Sequence, residues 1–176
     1  IIDKRVFAWY CIMFLMLFLM TNQPFYDGPE DMEYFTPNSF DETVKNYKDP
    51  EKRYLVEFYA SWSPPCIHLE PILSQLSVDF SSDKLAFGKM DLGRWPLAAK
   101  EFKINIGGTS KQLPTLILFE AGTEIGRIPH LYGDGQVAKG RYRREDIIKA
   151  FELEGKKSRR PRPAIPKKTK KAKKDE

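Results

Sequence analysis

The sequence predicts an α/β fold, a mixed central sheet flanked by helices, with an N-terminal membrane helix before it and a disordered basic tail behind it. Three observations carry this expectation. Apolar runs of strand length alternate with segments of helical period between residues 39 and 154, fifteen consecutive apolar residues stand near the start, and residues 155–176 contain no aromatic side chain. The 176 residues suffice for one domain of ordinary size plus appendages, and 41% hydrophobic content is enough for a packed core.

The elements follow in chain order. Val6–Met20, VFAWYCIMFLMLFLM, lies behind Lys4 and Arg5 and is apolar all round, without the polar face of a helix packed on a core. Fifteen helical residues rise roughly 22 Å against roughly 30 Å of hydrocarbon, a gap that snorkelling of Lys4 and Arg5 and inclusion of Ile1, Ile2 and Thr21 would narrow. A membrane span over residues 1–21 is therefore the favoured expectation; the chain opens on Ile1, which leaves a truncated start open. A signal peptide shares the basic start, but Met20, Thr21 and Asn22 supply no small-residue cleavage site, and a buried core helix is the third reading.

Residues 22–38, with Pro24, Gly28, Pro29, Pro37 and four acids, read as a connector. Ser39 offers an N-cap with Glu42 as its capping-box partner, for a short helix through about Tyr47. Tyr54–Ala60 is an apolar run expected of a strand covered on both faces, and its one charge, Glu57, stands out. Cys66–Phe80 has its apolar residues at helical spacing, with Pro71 inside as an expected kink. Strands are expected at Leu85–Met90, Thr115–Glu120 and Thr123–Ile128, the last two joined at Ala121–Gly122, and helices at Pro96–Phe102 and Arg144–Leu153. From Gly155 the chain fills with Lys, Arg and Pro and cannot bury enough apolar surface to offset its ordering entropy.

Charge and cysteine usage exclude several functions. The net charge is +5, but 11 of 29 basic and 2 of 24 acidic residues fall at 155–176, so the tail carries +9 and the rest −4. A nucleic-acid-binding face on the folded part is not expected; the tail could hold RNA or anionic lipid, but without an aromatic residue for stacking no specific nucleic acid is expected there. Two cysteines, Cys11 and Cys66, build neither a multi-bridge framework nor a structural zinc cluster, and no metal or cofactor is expected.

FYASWSPPC spans the end of a strand and the start of a helix, and in this it resembles the thioredoxin fold, whose redox motif lies at that junction. FGKMD is similar to the following strand, and LPTLILFEAG to the segment that opens with that fold's cis-proline, here Pro114. ASWSPPC with serine in place of the first cysteine, FGKMDLGR, TSKQLPTLILFEAG and the terminal KKDE bring the chain nearest to the thioredoxin-related transmembrane protein 2 group, over residues 6–154 plus the last four. The paired Pro64 and Pro65 are not a feature the resemblance supplies. It implies a thioredoxin-like domain at 39–154 and makes Glu57 similar to the buried acid that assists proton transfer at the second cysteine of protein disulfide isomerases.

A dithiol oxidoreductase needs two sulfurs, one to attack a substrate disulfide and one to resolve the mixed disulfide. Ser63 stands at the first position and cannot enter that exchange, so a full dithiol cycle is not expected. Cys66 remains as a single thiol, drawn down by a helix N-terminus and pushed up by burial, two effects the sequence does not rank. It either forms mixed disulfides with a small thiol, a client or a second copy of the chain, as in a disulfide-linked homodimer, or is an inert packed cysteine in a binding adaptor. Ser63 is expected as an N-cap hydroxyl and His68 as an exposed histidine without a nucleophile to serve.

Lys173, Lys174, Asp175 and Glu176 match a di-lysine retrieval signal of endoplasmic reticulum membrane proteins, which is read from the cytosol. With one visible span this places the domain on the cytosolic side of that membrane, its mitochondria-associated regions included. Lys4 and Arg5 before the span favour the opposite orientation, although that charge rule rests here on two residues. The chain has no Asn-x-Ser/Thr acceptor, in keeping with a cytosolic domain.

Overall fold

The computed structural model describes residues 3–20, 26–46, 51–133 and 135–153. The basic tail with Lys173–Glu176, and residues 22–25 of the connector, lie outside the described residues.

Five strands, β1 (Met32–Tyr34), β2 (Arg53–Tyr59), β3 (Leu85–Asp91), β4 (Thr115–Glu120) and β5 (Thr123–Ile128), form one sheet in the order β1-β3-β2-β4-β5. β1, β3 and β2 are parallel, while β4 and β5 run antiparallel as a hairpin at the other edge. The helices are α1 (Lys4–Met20), α2 (Pro37–Phe40), α3 (Pro64–Phe80), α4 (Pro96–Glu101) and α5 (Arg144–Ala150), with a π-helical turn at Asp41–Lys45. The expected mixed sheet with flanking helices is thus present, and the hairpin strands have the expected limits.

Alternation along β2 divides the core. Tyr54, Val56 and Phe58 pack with Phe40, Ala98, Ala99 and Phe102 on one face, where the Phe40 ring meets Phe35, Phe58, Phe102 and Phe119 edge-on at centroid distances of 5.3–6.0 Å. Leu55 packs with Leu69, Leu73 and Leu76 of α3 and with Ile147 and Phe151 on the other. Glu57, two residues beyond Leu55, therefore projects toward α3.

Three expectations are corrected. The segment read as a connector supplies β1, whose Met32, Glu33 and Tyr34 register with Phe87, Gly88 and Lys89; three residues are too few for a period to show among its acidic and proline neighbours. The N-cap of the next helix is Thr36, and Ser39 is its N3 partner in a capping box. Pro37 decides this, because proline favours N1 and so moves the cap to the residue before it. Helix α3, which contains Pro71, begins at Pro64 instead of Cys66.

Helix α1 turns large apolar side chains outward in every direction, Phe7, Trp9, Ile12, Phe14, Leu17 and Phe18 all being exposed. At 17 residues it rises about 26 Å, and among the described residues no helix is long and apolar enough to cross a membrane.

Candidate functional site

Cys66 sits in the first turn of α3, at the carboxyl end of β2. Ser63 holds the N-cap position and Pro64 and Pro65 follow as N1 and N2, where a missing N–H costs the helix nothing. The expected capping bond is absent. Pro64 and Pro65 have no N–H to offer, and the Cys66 N–H donates to the Ser63 carbonyl at 3.0 Å. The Ser63 hydroxyl and the Ala60 backbone instead favour the thiolate of Cys66. Ser63 and Cys66 are 5% and 4% exposed, so both members of the motif are interior groups.

The structure ranks the opposing effects at Cys66. Burial pushes the thiol up, outweighing the opposite pull of Ser63 and Ala60, and the charges of Glu57 and Asp91 push the same way. Cys66 is a protonated thiol at neutral pH.

Glu57 is 2% exposed and lines, with Cys66, a cavity of about 240 Å³ that also touches Ser61, Glu70, Lys89 and Glu30. Burial pushes its carboxyl up to about 8; Lys89 opposes this, while the charges of Glu70 and Glu30 add to it. It makes no side-chain hydrogen bond among the described residues. At neutral pH Glu57 therefore holds a proton beside a thiol that also holds one.

Lys89, not singled out from the sequence, is the cation of this site. It is directly opposite Glu57 in the β2–β3 ladder, yet its ammonium lies 3.1 Å from Glu30 and 3.3 Å from Glu70, and 4.5 Å from the Tyr34 ring centroid. Burial alone would lower its pKa, but hydrogen bonds with Tyr34 and Glu30 and the Glu30 charge raise it overall. A lysine inside the run LAFGKMD breaks an apolar pattern just as Glu57 breaks YLVEFYA; pairing the two interruptions would have found it.

The Leu113–Pro114 peptide is cis, in line with the resemblance, and Leu113 shares the hydrophobic cluster of Cys66. Tyr142, also missed, donates its hydroxyl to the Pro114 carbonyl at 2.6 Å, and burial followed by the charges of Cys66 and Glu57 raises its pKa. A second cis bond, Ile128–Pro129, was not expected. The fold thus brings Cys66 and Glu57 to one cavity, sets Ser63 at the start of the helix that carries Cys66, and ties Pro114 to this region through Tyr142 and Leu113. His68 is exposed on α3, and Cys11, the other free cysteine, is exposed on α1. The site thus offers one sulfur, a neutral acid and a cis-proline loop, and among the described residues no second thiol stands beside Cys66.

Comparison with known proteins places these features in a family. The thioredoxin family model matches residues 31–137, a span that begins one residue before β1. Thioredoxin-related transmembrane protein 2 of Xenopus tropicalis is 34% identical over 152 residues, 86% of this chain and 52% of that protein. Its Danio rerio relative 2-B is 36% identical over 81% of this chain and 45% of that protein, and the Drosophila melanogaster homolog 32% over 86% and 55%. The chain spans about half the length of the curated relatives it matches. The crystal structure of thioredoxin NaTrxh from Nicotiana alata superposes with a TM-score of 0.54 at 22% identity, covering 72% of this chain and 94% of that one, which shows the shared fold. The chain belongs to the thioredoxin family, and over most of its length it is similar to the thioredoxin-related transmembrane protein 2 members of that family.

Proposed function

We propose that this chain is a membrane-anchored thioredoxin-like protein that works with a single thiol, capturing a partner as a mixed disulfide at Cys66 and not turning over as a dithiol oxidoreductase. The observation that carries the reading is the replacement of one sulfur by Ser63 at the start of α3, while the remaining sulfur, Cys66, shares a cavity with the carboxyl of Glu57. In the proposed exchange the Cys66 thiol gives its proton to solvent, the thiolate bonds to one sulfur of a partner disulfide as that S–S bond breaks, and the departing partner thiolate takes up a proton. Glu57, protonated at neutral pH and facing the same cavity, is the candidate donor. Partners are clients or a second copy of the chain. The cis-proline loop at Pro114 supplies the surface along which an extended segment lies.

The outward apolar surface of α1 supports membrane insertion, with flanking residues completing the hydrocarbon thickness. The chain's relatives are named as transmembrane proteins, which agrees with that role. Lys173–Glu176 supports residence in the endoplasmic reticulum membrane with the domain facing the cytosol. Sealed microsomes bearing the full chain test both parts. Thiol trapping followed by non-reducing electrophoresis is expected to show disulfide-linked species that vanish in Cys66→Ser, and external protease is expected to digest the domain. Retention of every adduct in Cys66→Ser refutes the thiol reading, and a fully protected domain refutes the cytosolic one. In the rival adaptor reading Cys66 is inert, and no Cys66-dependent adduct forms at all.

A further inference from the structure

The segment that leads from α1 into the domain is docked on the site. Glu30 stands ten positions beyond Met20, the last residue of α1. Its carboxylate is held from three elements: it receives the Tyr34 hydroxyl of β1 at 2.8 Å, the Lys89 ammonium of β3 at 3.1 Å and the Ser74 hydroxyl of α3 at 3.4 Å. The next residue extends the seat, the Asp31 N–H donating to Ser77 Oγ at 3.0 Å while that hydroxyl donates to the Ser74 carbonyl at 2.7 Å. Ser74 and Ser77 are fully buried polar groups on a helix whose neighbouring buried positions are leucines. Buried hydroxyls at those positions require partners, and the segment around Glu30 provides them.

This docking settles where Lys89 points. Parallel strands lie about 4.8 Å apart, so cross-strand neighbours such as Glu57 and Lys89 are within easy reach of one another on a shared face. A buried lysine opposite a buried, unpartnered glutamate would ordinarily pair with it. Lys89 pairs instead with Glu30 and Glu70, placing two carboxylates on one ammonium and leaving Glu57 with no direct ion pair, although the Lys89 charge still pulls on its carboxyl from a distance.

We propose that Glu30 is a latch and a positioning residue: by engaging Lys89 it keeps that ammonium off Glu57 and so holds Glu57 in its neutral, proton-donating form. The segment between the apolar helix and the sheet thereby regulates the Cys66 site. Undocking it frees Lys89 to swing to Glu57, which then ionises and loses its proton to give. This rests on the single-thiol reading for its purpose but not for its measurement. The groups facing Glu57 or its cavity are Lys89 on β3, Glu70 and Cys66 on α3, Tyr26 and Glu30 from the docked segment, Tyr34 on β1, Tyr59 on β2 and Tyr142 before α5. Of these, Glu30 lies in the segment that precedes β1, outside the hydrogen-bonded strands. Hydrogen bonds from Tyr34 and Lys89, with the Lys89 charge, outweigh burial and hold Glu30 below its ordinary range, so it is ionised and the latch is closed at neutral pH.

The test is the titration of Glu57 itself, followed in the full chain in detergent micelles by its protonated-carboxyl infrared band, assigned by disappearance in Glu57→Gln. In Glu30→Gln the midpoint is expected to fall by about one pH unit or more, a tenfold change in the ionisation constant. Tyr34→Phe, which removes one hydrogen bond holding Glu30, is expected to move it the same way by less. Far-UV circular dichroism confirms folding of both variants. An unchanged midpoint in two folded variants, or a rise, overturns the latch. A normal shift with a Cys66 that forms no adduct leaves the latch standing and sinks the single-thiol function instead.

Discussion

At the scale of the residue, the site is decided by which groups keep their protons. Glu57 titrates near 8 in the folded chain against 4.5 for an ordinary glutamate, so the folded state binds the extra proton between those values. Its contribution to stability is intact below about pH 4.5 and drains away as pH rises to about 8, at a slope approaching 1.4 kcal/mol per pH unit. Glu57→Gln has no such loss. Its stability relative to the native chain, measured by denaturant unfolding, should grow from pH 5 to pH 8 and level off above; a constant difference would mean that Glu57 is not held protonated. Cys66, Ser63, Glu57 and Pro114 were legible in the sequence because a motif or an interrupted apolar run marks each. Lys89, Glu30, Glu70 and Tyr142 were not, since their roles depend on distant segments meeting. The Ser63 hydroxyl was misread because Pro65 removes the N2 donor and the N3 donor, the Cys66 N–H, goes to the Ser63 carbonyl.

At the scale of the element, chain order and periodicity made the sheet and most helices readable. Strands β4 and β5 are bounded by turn residues and have the limits their patterns indicate. The left-handed pair Ala121 and Gly122, with φ of 48° and 78°, closes that hairpin; a Cβ on Gly122 would lie 2.4 Å from the Lys45 carbonyl oxygen. β1 was invisible because proline and acidic neighbours mask it and its stability is tertiary. It needs Gly88 beside it, where a Cβ would come within 2.2 Å of the Phe35 ring. Phe40, in the short helix after β1, joins this edge to the core through four aromatic contacts. Phe40→Ala should cost about 3–5 kcal/mol of unfolding free energy in a denaturant titration, and a cost below about 1 kcal/mol would show that the first face of the core does not hang on this ring.

At the scale of the whole molecule, an apolar helix, a docked segment and a redox-family domain follow one another along the chain. The docked segment is where the first and last meet, since Glu30 reaches the cation that lies opposite the buried acid. Charge partition agrees with this plan: the cationic excess sits in the tail, and the mildly acidic remainder includes the carboxylates gathered around Lys89. Among the described residues no second sulfur stands beside Cys66, which is why the function proposed above is capture without turnover.

Restoring that sulfur tests the claim most directly. Insulin reduction is to be measured for the native full chain and for Ser63→Cys, with dithiothreitol as the electron source and the uncatalysed rate subtracted. The native chain should stay near background and Ser63→Cys should exceed it by roughly tenfold or more, since two cysteines three residues apart at a helix start can close and reopen a disulfide. Catalysis by the native chain equal to that of Ser63→Cys would contradict the account.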